Sequence, residues 1–340
     1  MTAIEIADDT IAIANAPALP GLVFRRFRGK ADYPGMLAAL IGSKRADGIE
    51  EGDSLEQLAN NYAHLTNCDT RTDMVLVEAH DAVVGYTRLF WTEEYDGTRA
   101  YQHVAFLLPE WRRKGIGRAL LRHNERRARA IAAGHPSGPR WLQTFVAEGE
   151  AGKRALLEQE GYAPVRYFFD MVRPNLDDIP DAPLPPGLEV RPVKPEHLRA
   201  IWAADVEAFR DHWGAGAVAE ADYQRWLGGT EYQPEVWKVA WDVASEQVAG
   251  MVLGFIDAGL NVQLGRRRGW TENISVRRPW RRKGVARALI AENLRELKAR
   301  GMAEAALGVD ADNPTGALRV YESMGFRTTK RNAMYRKPLN

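Results

Sequence analysis

The 340-residue sequence repeats itself once, in order and nearly in register. Gly21-Leu22-Val23-Phe24-Arg25 returns as Gly187-Leu188-Glu189-Val190-Arg191, and Val83-Val84-Gly85 returns as Val248-Ala249-Gly250. Trp111-Arg112-Arg113-Lys114-Gly115 returns as Trp280-Arg281-Arg282-Lys283-Gly284, and Gly161-Tyr162 as Gly325-Phe326. The offsets are 166, 165, 169 and 164 positions, so the copies differ by small insertions only. Two copies are too few for a solenoid, and the length suits two domains, each with its own core. Between them, Arg173 to Pro186 carries Pro174, Pro180, Pro183, Pro185 and Pro186. Proline fixes φ and withholds a backbone donor, so this stretch reads as a linker that cannot enter a sheet interior. The expected plan is a first domain over 20–173, a linker over 174–186 and a second domain over 187–338.

In the second copy the elements can be ordered. Leu188 to Val193 reads as a strand and about Pro195 to Phe209 as a helix; Val236 to Trp241 and Val248 to Ile256 read as a hairpin. Trp270 to Val276 is expected as one strand, and about Gly284 to Arg300 as a long amphipathic helix closed by Gly301. Ala303 to Val309 reads as a buried strand. Asn313 is expected to cap a helix that begins at Pro314 and ends at Gly325, with one or two strands following from Phe326 to Tyr335. Mixed strands and helices with an antiparallel hairpin give an α/β class, or α+β by a stricter naming.

Charge bounds the function. Lys plus Arg number 46 against 45 Asp plus Glu, a formal net charge of +1, without the basic excess of a nucleic-acid binder or a polybasic membrane binder. No apolar run approaches the roughly 18 residues that span a bilayer. The first twenty residues hold acids and no Lys or Arg, unlike a secretory signal, so a cytoplasmic location is expected. Cys68 is the single cysteine, which excludes an internal disulfide and any multi-cysteine metal site; no metal is expected.

The chemistry concentrates at Arg281-Arg282-Lys283-Gly284-Val285-Ala286, between an expected strand and a long helix. Gly284 and Ala286 lack bulky side chains, so backbone N–H groups can approach an anion, and the helix N-terminus adds unpaired donors and its dipole. A basic turn before a helix is by itself a weak signal. Its return at Arg112-Arg113-Lys114-Gly115-Ile116-Gly117, in the same context, strengthens it into a pair of phosphate cradles.

Both segments resemble the acyl-CoA loop of the GNAT acetyltransferase superfamily, Gln/Arg-x-x-Gly-x-Gly/Ala. In the second copy the resemblance extends through Asn313-Pro314-Thr315-Gly316-Ala317, Tyr321 and Gly325-Phe326. It implies two tandem domains, each a twisted mixed sheet flanked by helices and splayed to admit CoA, with acetyl-CoA as cosubstrate. It also implies that Tyr321 protonates the leaving CoA thiolate; the bland reading of Tyr321 is a core aromatic on an apolar helix stripe. Asn313 would touch the CoA arm, or serve as a plain cap. Glu272, nine residues before Arg281, would take the proton of an attacking ammonium, or else pair with the Arg266-Arg267-Arg268 run. The backbone of Val276 would polarise the thioester carbonyl.

The first copy departs from this pattern. The spacings of the second copy put Leu157 where the tyrosine should be, Gly149 where the asparagine should be, and His103 in the slot of Glu272. The cradle survives, so this half is expected to bind CoA without turnover, unless Tyr162 or Tyr167 substitutes for the missing acid. Phe209-Arg210-Asp211-His212-Trp213-Gly214 is either part of an acceptor wall or a helix end stopped by glycine. The resulting expectation is an N-acyltransferase that moves an acetyl group to a primary amine of a small molecule by direct attack in a ternary complex. Neither nucleic acid nor membrane is an expected partner. The rival is a CoA-binding sensor or scaffold in which neither cradle supports turnover.

Overall fold

A computed structural model of the chain describes residues 9–50, 52–313 and 316–340. Contacts divide it into two compact units, one running to Val165 and also including Met334–Asn340, the other Arg166–Ala333.

The first unit contains β1 (Leu22–Arg25), α1 (Tyr33–Ala46), α2 (Leu55–Ala63), β2 (Met74–Ala79), β3 (Ala82–Glu93), β4 (Arg99–Leu107), α3 (Ile116–Ala132), β5 (Arg140–Val146) and α4 (Ala151–Gln159). Strands β1 to β5 are neighbours in chain order. The buried run Met74-Val75-Leu76-Val77 explains the layering. Val75 and Val77 pack with Ile116, Ala119 and Leu120 of α3, while Met74 and Leu76 pack with Met36 and Leu40 of α1 and Leu58 of α2. A strand buried on both faces needs a helix layer on each side.

In sequence, β6 (Ala163–Arg173) follows, but from Arg166 onward it belongs to the second unit. That unit continues with β7 (Leu188–Arg191), α5 (Leu198–Phe209), α6 (Glu220–Leu227), β8 (Lys238–Asp242), β9 (Gln247–Val252) and α7 (Ala258–Leu264). It then runs through β10 (Arg268–Trp270), β11 (Ser275–Val276), α8 (Val285–Ala299), β12 (Glu304–Asp310), α9 (Ala317–Ser323) and β13 (Arg327–Pro338). The sheet β11-β9-β8-β7 carries the antiparallel hairpin, and β6, β12 and β10 form a second set of neighbours. The end of β13, from Met334, belongs to the first unit, where Leu339 N–H donates to the Arg140 carbonyl at 3.0 Å. The last strand of each repeat is thus shared out differently from the halves of the sequence. The proline-rich stretch joins no strand, but it is packed: Leu176 is buried and Ile179, Ala182 and Leu184 lie against the core of the second unit.

Two local expectations change. Trp270 to Val276 is not one strand; β10 pairs in parallel with β12 and β11 pairs antiparallel with β9, leaving 271–274 outside both. Asn313 does not cap a helix: α9 begins at Ala317 behind a left-handed Gly316, and Asn313 sits in the preceding turn, its carbonyl accepting from Gly316 N–H at 3.2 Å. Pro314 and Thr315 lie outside the described residues.

Candidate active site

Each unit opens in the same place. In the first, β4 and β5 pair only from Arg99↔Arg140 to Gln102↔Gln143 and then part, although both strands run on. In the second, β10 and β12 pair over three residues before the chain turns away to β11. A parallel pair that diverges leaves a cleft with backbone donors along both walls.

The cradles stand at these clefts with matching backbones. Arg113 and Gly115 have φ of 62° and 89°, and Arg282 and Gly284 have φ of 62° and 89°. This run of left-handed residues turns successive N–H groups to one side, the nest geometry that binds anions. No side chain caps α3 or α8, so their first-turn donors are unpaired by capping groups. Ile116 and Val285 are fully buried and offer the cradle only their backbones. Arg282 and Lys283 are exposed with no protein partner among the described residues, whereas Lys114 lies 4.6 Å over the Trp111 ring. A Cβ on Gly284 would have nothing within 4 Å; one on Gly115 would stand 3.9 Å from Pro17.

Arg281 and Arg112 are not free phosphate ligands. Arg281 Nε donates to the Val276 carbonyl at 2.9 Å, Nη2 to the Ala208 carbonyl at 3.0 Å, and Nη1 to Asp211 at 2.8 Å. Arg112 repeats this: Nε donates to the Leu107 carbonyl at 3.0 Å, Nη2 to the Ser43 carbonyl at 3.1 Å, and both Nη atoms to Asp47 at 2.7 and 2.9 Å. Each arginine ties the end of the diverging strand to the first long helix of its unit. Asp211, which also pairs with Arg278, is held well below the usual carboxylate range by the two guanidiniums, so it holds this tie rather than lining an acceptor wall. Asp47 and Asp211 are offset by 164 positions, the same offset as Gly161 and Gly325, so the repeat carried a signal for this pair.

At the second cleft, Glu272 lies in the break between β10 and β11. It accepts a hydrogen bond from Gly308 N–H on β12 at 3.0 Å. It does not pair with the neighbouring arginines; Arg268 is paired with Glu304 at 2.7 Å. Burial pushes the Glu272 carboxyl up to about 8. Tyr321, on α9, is 6% exposed and packs edge-on to Phe326, and its hydroxyl has no hydrogen-bond partner among the described residues. Burial, with the charge of Glu272 adding to it, holds the phenol well above its ordinary value. The charge of Glu272 is thus felt at the Tyr321 hydroxyl although the two are 49 positions apart in sequence.

In the first unit a cavity of about 570 Å³ runs along the cradle, lined by Arg113, Gly115, Gly117, Lys153, His103 and Leu157. His103 is 4% exposed, its Nδ1 has no partner, and burial lowers it to about 3, so it is a neutral ring throughout the neutral range. Tyr162 is buried beside it with ring centroids 5.8 Å apart. Tyr167 lies in the second unit, with the Arg331 guanidinium 3.9 Å over its ring.

The model of the acetyltransferase (GNAT) family matches residues 44–144 and again 198–326, which together make up more than half of the chain. The chain belongs to the GNAT acetyltransferase family. It is similar to the mycothiol acetyltransferase of Streptomyces bingchenggensis, 31% identical over 264 residues that cover 76% of this chain and 79% of that one. It is 30% identical to the mycothiol acetyltransferase of Salinispora arenicola, over 89% of this chain and 94% of the relative. The GCN5-related N-acetyltransferase of Sphaerobacter thermophilus superposes with a TM-score of 0.67 at 28% identity, covering 94% and 96% of the two chains. A tandem GNAT protein from the clavulanic acid biosynthesis pathway shares the fold, at 18% identity and a TM-score of 0.63. The protein is an N-acetyltransferase of tandem GNAT type, a family that uses acetyl-CoA. Among the described residues no group of acids, histidines and cysteine could hold a metal ion, and no helix is long and apolar enough to cross a membrane.

Proposed function

We propose that the second unit transfers the acetyl group of acetyl-CoA to a primary amine of a small molecule, by direct attack within a ternary complex. The observation that carries this reading is the pairing of a high-titrating Glu272 with an unpartnered Tyr321 hydroxyl in one unit, next to an uncapped helix N-terminus. The N–H groups of Arg282 to Ala286 take the diphosphate, with Arg282 and Lys283 adding charge and Asn313 meeting the CoA arm. Glu272, titrating near 8, accepts a proton from the bound ammonium and frees the lone pair for attack. The backbone at Val276 polarises the thioester carbonyl as charge builds on its oxygen. When the C–S bond breaks, Tyr321 protonates the thiolate, so the proton taken by Glu272 is matched by one given at sulfur. The first unit, with its intact cradle and a neutral histidine and a leucine at the acyl end, holds CoA without turning it over.

The relatives named mycothiol acetyltransferase support a low-molecular-mass acceptor. The test is acetyl-CoA consumption, followed by loss of the thioester absorbance, with a panel of primary amines that includes amino-sugars and a cysteinyl amino-sugar. Saturable consumption with at least one amine, removed by Glu272→Gln, is the expected result. Tight acetyl-CoA binding by calorimetry, with no amine raising consumption above hydrolysis, would replace this reading with the sensor.

A further inference from the structure

We propose that Asp205 is a positioning residue for the reaction: from α5 it holds the break between β10 and β11 and so aims Glu272 into the cleft. The proposal rests on the reading of Glu272 as the base. Asp205 is 8% exposed on a helix that otherwise buries Ile201, Ala204 and Ala208. Its Oδ2 accepts from Asn273 Nδ2 at 3.3 Å, and its Oδ1 is buried without a partner. Ser275, 5% exposed, acts on the same carboxyl, and its buried hydroxyl has no hydrogen-bond partner. Asn273 and Ser275 flank the point where the chain leaves one sheet for the other, and Glu272 and Val276 sit on the same short stretch.

Asn273 has a φ of 44°, a left-handed backbone that asparagine tolerates better than other L-residues but that still needs holding. The buried carboxyl supplies that hold. The first unit gives the counter-example. At the 169-residue offset of the cradles, Asn273 and Ser275 correspond to Val104 and Phe106; at the 164-residue offset of Asp47 and Asp211, Asp205 corresponds to Ile41. There β4 runs unbroken over Arg99–Leu107 and His103 is sealed in the wall. The polar trio and the break occur together in one unit and are absent together from the other.

Burial pushes the Asp205 carboxyl up to about 7, and the groups that act on it are the neutral Asn273 and Ser275. The charged neighbours are engaged elsewhere: Glu207 of α5 pairs with Arg277 just after β11, and β9 turns Val248 and Met251 into the same core. The ionised carboxylate can accept from both Asn273 Nδ2 and the Ser275 hydroxyl, while the protonated acid gives up part of that acceptance.

The experiment follows the backbone amide shifts of Asn273 to Val276 in the full chain across the neutral pH range. In Glu272→Gln, where the adjoining carboxyl near 8 no longer titrates, these amides should show a step near neutrality that a second replacement, Asp205→Asn, abolishes and that Asn273→Gly weakens although glycine keeps the left-handed backbone. With acetyl-CoA and a cysteinyl amino-sugar as acceptor probe, Asp205→Asn should lower kcat roughly 10- to 100-fold, the effect of a misaimed catalytic group, and leave KM for acetyl-CoA nearly unchanged. Amide shifts in the double variant Glu272→Gln, Asp205→Asn that titrate as in Glu272→Gln alone would overturn the proposal. Normal kcat in Glu272→Gln would instead overturn the assignment of the base, and the amide titration would still decide whether Asp205 holds the break.

Discussion

The two clefts share the backbone geometry proposed to hold a diphosphate and differ in the side chains proposed to act on a thioester. Both have the left-handed pair before the helix, the arginine tied to a carbonyl five residues back, and the parting of a parallel strand pair. Where one unit has Glu272 and Tyr321, the corresponding positions of the other are His103 and Leu157. The difference teaches that a cradle survives divergence more readily than a catalytic pair. The cradle is backbone geometry set by a few adjacent residues, and an anion reads it without consulting side chains. The catalytic pair needs two particular side chains brought from distant elements to one point, so a single replacement at either end removes it.

The largest contrast to test is between the two glycines. Gly284→Val puts a β-branched residue at a φ of 89°, where it is a genuine outlier, and should abolish turnover and acetyl-CoA binding in the second unit. Gly115→Val, equally strained, should leave most turnover intact and remove at most one equivalent of bound CoA by calorimetry. Loss of turnover from Gly115→Val alone, in a protein folded by circular dichroism, would exchange the roles of the units.

Tyr321→Phe keeps the ring and its contact with Phe326, so melting temperature and acetyl-CoA affinity should hold while kcat falls roughly 10²–10⁴-fold. A fall in kcat and kcat/KM together would place the hydroxyl in the transition state. Near-normal kcat would make Tyr321 a core aromatic, equivalent in effect to Leu157.

Glu272→Gln should separate activity from stability. The folded carboxyl titrates near 8 against 4.5 for an ordinary glutamate, so between those values the folded state keeps a proton that the unfolded chain releases. Wild-type stability therefore falls as pH rises through this window. Glutamine does not titrate, so the melting temperature of Glu272→Gln should exceed that of wild type by a margin that grows with pH and levels off above 8, even as kcat drops. An equal margin at acid and alkaline pH would mean that Glu272 is solvated like a surface acid.

The smallest effect belongs to the exposed cation. Arg282→Ala should raise KM for acetyl-CoA by roughly 2- to 5-fold, the worth of one surface charge, and leave the melting temperature alone. Arg281→Ala should do the reverse in emphasis, lowering the melting temperature because the Val276 and Ala208 carbonyls and Asp211 lose their donor. Arg112→Ala should match it in the first unit.

Much of this was legible in the chain. The internal repeat gave the two-part plan and placed both cradles, because a glycine two residues after an arginine, followed by an apolar helix stripe, encodes its conformation within six adjacent residues. The spacing from Tyr321 to Gly325 placed Tyr321 on a helix for the same local reason, and residues 174–186 join no strand. Local coding also had limits: the turn at Asn313 delays the helix to Ala317, and Trp270 to Val276, apolar enough for one strand, is divided between two sheets.

Only tertiary structure decided three things. It drew Arg112 and Arg281 away from the ligand side, because their partners at Asp47 and Asp211 stand 65 and 70 positions off and meet them through helix packing. It assigned β6 from Arg166 onward to the second unit and the end of β13 to the first, which no periodicity encodes because a strand's pattern does not name its neighbour. And it buried Asp205 and half-buried Glu272, taking water from two ordinary acids of the sequence and raising both toward neutrality. A sequence carries the identity of a carboxyl and the shape of its own turn; the water it loses is set by the residues that fold around it.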